Sequence, residues 1–490
     1  MARILVEDLS FSYDGSEPIF DHVNFSIDTN WRLGFVGRNG RGKTTFLNLL
    51  LGNLEYRGKI VSSVSFDYFP FPIPDPTCLT WQVVSQLASM AEDWQIVREF
   101  SYLELDPMVL ERPYESLSQG EKTKVMLAIL FVRPENFLLI DEPTNHLDRH
   151  ARQVLSAYLK RKRGFILVSH DREVLDGCVD HILAINRHSI DVQSGNYSAW
   201  FSAFEQKQEH EKAENERLRK DIRRLQESAS RSAGWSDRIE ASKIGAADKG
   251  FVGHRSAKMM QRSKNIMRRK EEAATQKRGL LKDVETTEPL AFQCLIPPSK
   301  RLIHAKDLTV LYDGESVFDP VSWDLEVQDR MFLEGNNGSG KSSLIRAIRH
   351  EEIQTKGLLE MAGHLKISYV GQDASDLQGS LKAYAQRYAI DRSIFYSVLS
   401  KMGFSRSQFD QDLGSYSDGQ KKKVMIGRSL CESAHLYVWD EPLNFLDIYS
   451  RIQIEEAILA SRPTMILVEH DAFFQKKIAT KSVVLKKTLD

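Results

Sequence analysis

Two short stretches carry the residues best suited to chemistry, "GRNGRGKTT" at 37–45 and "GNNGSGKSS" at 335–343. Each follows an apolar run and precedes a helical pattern. In that order, Gly37, Gly40 and Gly42 let backbone N–H groups wrap the β- and γ-phosphates of a nucleotide, and the helix N-terminus adds partial positive charge. Gly335, Gly338 and Gly340 repeat the arrangement. Lys43 and Lys341 reach the same phosphates, while Thr44 and Ser342 offer a hydroxyl to Mg²⁺. Asn39, Thr45, Asn337 and Ser343 complete the two loops. Further on, Asp141 and Asp440 each end an apolar strand and can hold Mg²⁺ through water. Glu142 and Glu441 beside them are placed to polarise an attacking water. His170 and His470 each close a strand about 30 residues later. A lone histidine there is usually structural, but the repeated pair favours contact with a γ-phosphate. Tyr13 and Tyr312 stand where a ring stacks on adenine or fills the core. The chemistry expected of this set is hydrolysis of ATP with Mg²⁺.

The elements that must position these residues come twice. The halves are copies at an offset near 299: "FSYDG" (11–15) matches "VLYDG" (310–314), and "FLLIDEP" (137–143) matches "LYVWDEP" (436–442). From loop lysine to aspartate is 98 residues in one copy and 99 in the other. Strands alternating with helical segments predict an α/β domain in each. The expected division is a nucleotide-binding domain at 1–197, a linker at 198–298 and a second nucleotide-binding domain at 299–490. Cys78, Cys178, Cys294 and Cys431 are scattered and form no CxxC pair, which fits a reducing cytosol. The N-terminus enters a strand pattern at once, so no leader is expected. The longest apolar runs are far short of the roughly 20 residues that cross a bilayer.

The linker reads as two long antiparallel helices joined by a turn region. Leu218, Ile222 and Leu225 recur at helical spacing, and Gly234, Gly245, Gly250 and Gly253 mark the turn. Net charge is -1 overall, yet residues 217–270 hold 16 Lys+Arg against 5 Asp+Glu, and the remainder 50 against 62. A basic island on an acidic body predicts a surface for a polyanion. At the expected tip, about 235–251, Lys243 and Lys249 are two cations that can meet phosphate of such a polyanion, and Ile244 and Phe251 are two apolar side chains able to pack against bases.

The motifs "LSQGE" (117–121) and "YSDGQ" (416–420) make both copies resemble the ABC ATPases. That resemblance implies a monomer with intramolecular cassette pairing. The signature Ser417 and Gly419 would cap ATP held by Lys43, Glu142 and His170, and Ser118 and Gly120 would cap ATP held by Lys341, Glu441 and His470. The family's metal-contacting glutamine is matched by Gln372 in the second copy, whereas the first offers Phe71. Two cassettes, a helical linker and no membrane segment are similar to the ABC-F proteins. Lysine and signature glycine are 77 and 78 residues apart in the two copies, which leaves no room for the arm of housekeeping members. The chain stops 20 residues after His470, so no C-terminal extension is expected. "DTNWRLGFVGRNGRGKTT", "DYFPF" and "GHRSAKMMQRSK" look like the Lsa-type antibiotic resistance proteins. The resemblance implies a cytoplasmic, ribosome-associated factor that binds the bacterial ribosome beside tRNA at the exit-site region. It would push its hairpin towards 23S rRNA at the peptidyl-transferase centre and displace lincosamides, pleuromutilins and streptogramin A. The rival readings are a housekeeping factor rescuing stalled ribosomes and the motor of a drug exporter.

Overall fold

The structure is a computed structural model. It describes residues 2–13, 18–133, 136–145, 147–185, 190–241, single positions between 261 and 275, 288–375 and 377–487, with backbone alone over 228–241. The chain divides into two units, one made of Met1–Trp200 with Thr287–Asp490, the other of Phe201–Thr286.

The first unit holds both nucleotide-binding domains. In the first domain the strands Phe66–Phe69, Phe137–Asp141, Phe165–Val168, Arg32–Gly37, His181–Ile185 and Ile190–Ser194 pair in that order. All neighbours are parallel except the last two. Runs such as "FLLI" and "FILV" are wholly buried, as expected of strands covered on both faces. An antiparallel sheet of Phe20–Asp28, Arg3–Phe11 and Arg57–Val61 adds a second layer, and Phe35 and Phe46 lie in the core cluster they share. The second domain repeats the plan, with Ile367–Val370, Leu436–Asp440, Met465–Val468, Arg330–Glu334 and Lys481–Val484 in order and all parallel. The fold is two tandem ABC-type α/β domains.

Leu290 and Phe292, within the stretch expected as linker, lie in the second domain's core, where the Phe292 ring stacks 5.5 Å from Trp439. The helix Tyr197–Ala241 is 45 residues long. It runs straight through Gly234, where a turn was expected. One interior glycine costs about 1 kcal/mol, which a helix rich in Ala, Arg and Glu absorbs. In the second unit, Arg223 pairs with Glu227 and Arg268 with Glu272, one helical turn apart. The antiparallel pairing and residues 242–251 of the expected tip lie outside the described residues. No described helix is long and apolar enough to cross a membrane.

The two domains are joined by a buried ion cluster. Glu455, fully buried on the helix Ile448–Ser461, takes Arg172 of the first domain at 2.9 Å and Lys477 of the second at 2.9 Å. Removing one partner of a buried pair strands the other, at a cost of about 3–5 kcal/mol. Glu455→Gln is therefore expected to lower the thermal unfolding midpoint further than Arg172→Ala, because the latter leaves Glu455 with Lys477. Equal midpoints would show that Arg172 needs no counter-ion there.

Candidate functional site

The glycine loops turn as their sequence requires. Gly42 and Gly340 cap the helices Lys43–Leu50 and Lys341–Ile348 at φ 92° and 90°. A Cβ at Gly42 would lie 2.4 Å from Ile19, so only glycine fits. Lys43 Nζ donates to the Gly37 carbonyl at 2.8 Å, and Lys341 Nζ to the Gly335 carbonyl at 2.7 Å. Thr44 donates to Asp141 at 3.1 Å and Ser342 to Asp440 at 3.1 Å. Tyr13 meets Thr45 at 3.2 Å and Tyr312 meets Ser343 at 3.3 Å, and both rings are about half exposed beside their loops.

The second site is an open cavity of about 880 Å³. Tyr312, Asn337, Gly338, Gly340, Lys341, Ser342, Ser343, Gln372, Glu441 and His470 line it from the second domain. Ser118, Gly120, Lys124, Asp148 and Arg152 close it from the first. Ser118 opens the helix Gln119–Val132 with a capping box: its hydroxyl accepts from the Glu121 N–H at 3.2 Å, and Glu121 accepts from the Ser118 N–H at 2.7 Å. Ser417 and Gln420 do the same for Asp418–Cys431. The cavity wall across from Lys341 is thus a capped helix N-terminus, a place that favours anions.

At the first site the domains touch directly. Asn39 Nδ2 donates to the Phe445 carbonyl at 2.9 Å, while Asn39 Oδ1 lies 3.1 Å from His170 Nε2 and 3.3 Å from Lys43 Nζ. Gly419 abuts the same amide, since a Cβ there would sit 2.9 Å from Asn39 Nδ2. Arg38 lies over the Tyr449 ring at 5.5 Å.

Both glutamates adopt left-handed backbone, φ 51° at Glu142 and 48° at Glu441, held by N–H bonds to Val168 and Val468. Such conformations cost about 1–3 kcal/mol and are kept where the surroundings fix them. Burial, then the charge of Asp141, pushes Glu142 up to about 8. Burial raises Asp440 to about 6, with Glu441 adding to it. Burial and then Lys43 hold His170 well below the usual imidazole range, and burial and then Lys341 bring His470 to about 4, so both rings are neutral at pH 7. A neutral ring beside an acid, His170 Nε2 to Glu142 at 3.3 Å and His470 Nε2 to Glu441 at 3.8 Å, can serve as donor or acceptor.

The first-domain Phe71 turns its ring to Arg133, 5.2 Å away, and as a phenylalanine carries no donor for the acid pair. Gln372 Nε2 donates to Glu441 at 2.9 Å. Sequence reasoning missed four contributors. Asn444 donates to Glu441 at 2.6 Å, and Tyr68 donates to Asp141 at 3.0 Å. Arg152 holds Asp171 at 2.9 Å and Arg451 holds Asp471 at 3.1 Å, fixing the turn after each histidine. The matched arginines, each 11 residues beyond the strand aspartate, were the available signal. Lys243, Ile244, Lys249 and Phe251 lie outside the described residues.

The signature glycines are not equally crowded. A methyl at Gly419 would meet the Phe445 carbonyl at 2.6 Å, whereas at Gly120 the nearest atom is Leu147 Cδ2 at 3.4 Å. Gly419→Ala is expected to reduce ATPase about tenfold or more and Gly120→Ala far less, because the backbone at Phe445 cannot yield as a leucine methyl does. Matched losses in a steady-state ATPase assay would remove steric closure as the cause.

The sequence profile described as ABC transporter matches residues 20–145 and 318–444. The ribosome protection protein VmlR of Bacillus subtilis is 26% identical over 480 residues, covering 96% of this chain and 84% of that protein. The ATP-binding protein Uup of Caulobacter vibrioides is 26% identical, covering 96% of this chain and 75% of its own. The archaeal ribosome recycling factor aABCE1, solved in complex with the stalk protein aP1, shares the fold at TM-score 0.63 and 18% identity, over 98% of this chain and 88% of that one. With a glycine loop, acid pair and signature in each half, and family matches over both, the chain belongs to the ABC transporter family as an ATP hydrolase with two nucleotide-binding domains in tandem.

Proposed function

We propose that this chain is an ABC-F ATPase that binds the bacterial ribosome in the cytoplasm and protects it from antibiotics. Each ATP is held by one domain's glycine loop and the other's signature helix. Lys43 and Lys341 neutralise phosphate, and Glu142 and Glu441 draw the proton from water. His170 and His470 contact the γ-phosphate, and Tyr13 and Tyr312 carry the adenine. Thr44 with Asp141, and Ser342 with Asp440 and Gln372, would hold Mg²⁺. A hydroxyl paired with one carboxylate suits that ion, which keeps waters and takes phosphate oxygens. When bound, it offsets the charge of the β- and γ-phosphates.

The observation that carries the ribosomal reading is the match to a ribosome protection protein over 96% of the chain, a span that includes the basic segment with 16 Lys+Arg against 5 Asp+Glu. The linker hairpin is the probe directed at 23S rRNA near the peptidyl-transferase centre, beside the exit-site tRNA. The Lsa-like stretches extend this to lincosamides, pleuromutilins and streptogramin A. Susceptibility to these drugs in a sensitive host expressing the chain, with cosedimentation on ribosomes, tests it. Unchanged susceptibility with ribosome binding retained would favour a housekeeping translation factor instead.

Replacing Glu142 and Glu441 together by Gln is expected to leave ATP binding intact, stop hydrolysis and trap the chain on ribosomes in ATP. Release from ribosomes in ATP would overturn the clamp. Resistance is expected to fall more for Phe251→Ala than for Lys249→Ala, since a lost base stack costs about 1–3 kcal/mol and one phosphate contact less. Deletion of 240–250 should abolish resistance while ATPase persists. Full resistance in that deletion would take the hairpin out of the mechanism.

A further inference from the structure

The two domains fasten their acid pairs differently. In the second, the loop after strand Ile367–Val370 is tied twice. Gln372 donates to Glu441 at 2.9 Å, and Lys422 Nζ donates to the Gly371 carbonyl at 2.9 Å and the Asp440 carbonyl at 3.4 Å. At the matching places the first domain has Phe71 and Thr123, so neither tie is available. There the strand Phe66–Phe69 reaches the acid pair through a side chain of its own. The Tyr68 hydroxyl donates to Asp141 Oδ2 at 3.0 Å, the oxygen that also accepts from Thr44 at 3.1 Å. The corresponding Tyr369 is occupied elsewhere, with the Arg349 guanidinium 3.8 Å from its ring centre, and among the described residues it makes no hydrogen bond to Asp440.

We infer that Tyr68 is a positioning residue of the first ATP site, holding the Asp141 carboxylate for Mg²⁺, where the second site instead ties Glu441 through Gln372 and the Asp440 backbone through Lys422. The inference rests on reading Lys43, Thr44 and Asp141 as an ATP·Mg²⁺ site. Its chemical logic is one of donors. Asp141 is mostly buried, and an ionised carboxylate there needs hydrogen bonds to stay oriented. Thr44 supplies one but is itself the metal's hydroxyl ligand. When Thr44 serves the metal, Tyr68 is the donor that remains on Asp141 Oδ2.

The second domain serves as internal control. The experiment uses the full chain with Lys341→Ala, which weakens nucleotide binding at the second site, and measures binding of a fluorescent ATP analogue against Mg²⁺ concentration and in EDTA. Tyr68→Phe is expected to raise the half-saturating Mg²⁺ about tenfold, as loss of an outer-sphere partner does, and to leave binding in EDTA unchanged. The reciprocal test, Tyr369→Phe with Lys43→Ala, should leave the Mg²⁺ requirement of the second site where it was. In the double variant Tyr68→Phe, Asp141→Asn, the tyrosine change should add nothing to the asparagine change. Equal Mg²⁺ curves for Tyr68→Phe and its parent would overturn the inference. So would a loss in EDTA as large as that in Mg²⁺, or equal shifts for the two tyrosines. If Lys43→Ala combined with Lys341→Ala still bound nucleotide, the ATP-site reading itself would fall, separately from the role of Tyr68.

Discussion

Neither domain owns a whole site, and the rest of the structure follows from that. Lys341 faces a cavity whose far wall is the capped N-terminus of Gln119–Val132, which belongs to the other domain. Asn39 of the first domain ends on the Phe445 carbonyl of the second. On the proposed reading, a phosphate held by one loop is completed only when the two domains close. The buried Arg172–Glu455 pair crosses the same domain boundary. A pair of this kind contributes little net stability, but removing one partner while the site stays buried strands the other.

The first site also buries a crowded set of charges. Glu142 meets the charge of Asp141 in a buried place, and among the described residues its Oε1 accepts no hydrogen bond. A carboxyl pushed up to about 8 is a stronger proton acceptor when ionised than an ordinary one. Lys43 is buried too, and its charge is satisfied by loop carbonyls. The neutral His170 bridges these groups through Asn39 without adding a further charge. The same residue that reports domain contact, Asn39, thus touches the loop lysine and the histidine. On the proposed reading, approach of the domains and arrangement of the reacting groups are coupled through that one amide.

Local chemistry was legible in the sequence, and long-range chemistry was not. The glycine loops, the acid pairs at strand ends and the strand-terminal histidines sit where their spacing placed them, because each depends on a turn or a strand end. Even the capping boxes of "SQGE" and "SDGQ" were open to reading as Ser with Glu or Gln three residues on. The Tyr68–Asp141 bond spans 73 positions, and nothing in "DYFPF" announces it. Arg172 and Glu455 meet across the domains, where periodicity carries no signal. Gly234 misled because a breaker costs little inside a long helix. Leu290 and Phe292 read as linker because a short apolar run beside charged segments does not say which core it joins.

The duplication makes clear which parts tolerate substitution. The loop lysines, the acid pairs and the capping serines depend on fixed backbone geometry, and each domain keeps the same residue type at nearly the same spacing. The fastening of the acid pair needs only a donor within reach. A glutamine amide on the Glu441 carboxylate and a lysine on the Asp440 carbonyl meet that need in the second domain, and a phenol three positions before Phe71 meets it in the first. Freed from the carboxylates, Phe71 packs against Arg133, which also donates to the Leu87 carbonyl and pairs with Asp67 at 3.5 Å. The substituted loop is thereby tied to the helical part of its own domain, where in the second domain the loop is tied to the acid strand. A shift of either loop would reach different neighbours, so two sites with matching loop lysines, acid pairs and histidines need not respond alike to the same closure.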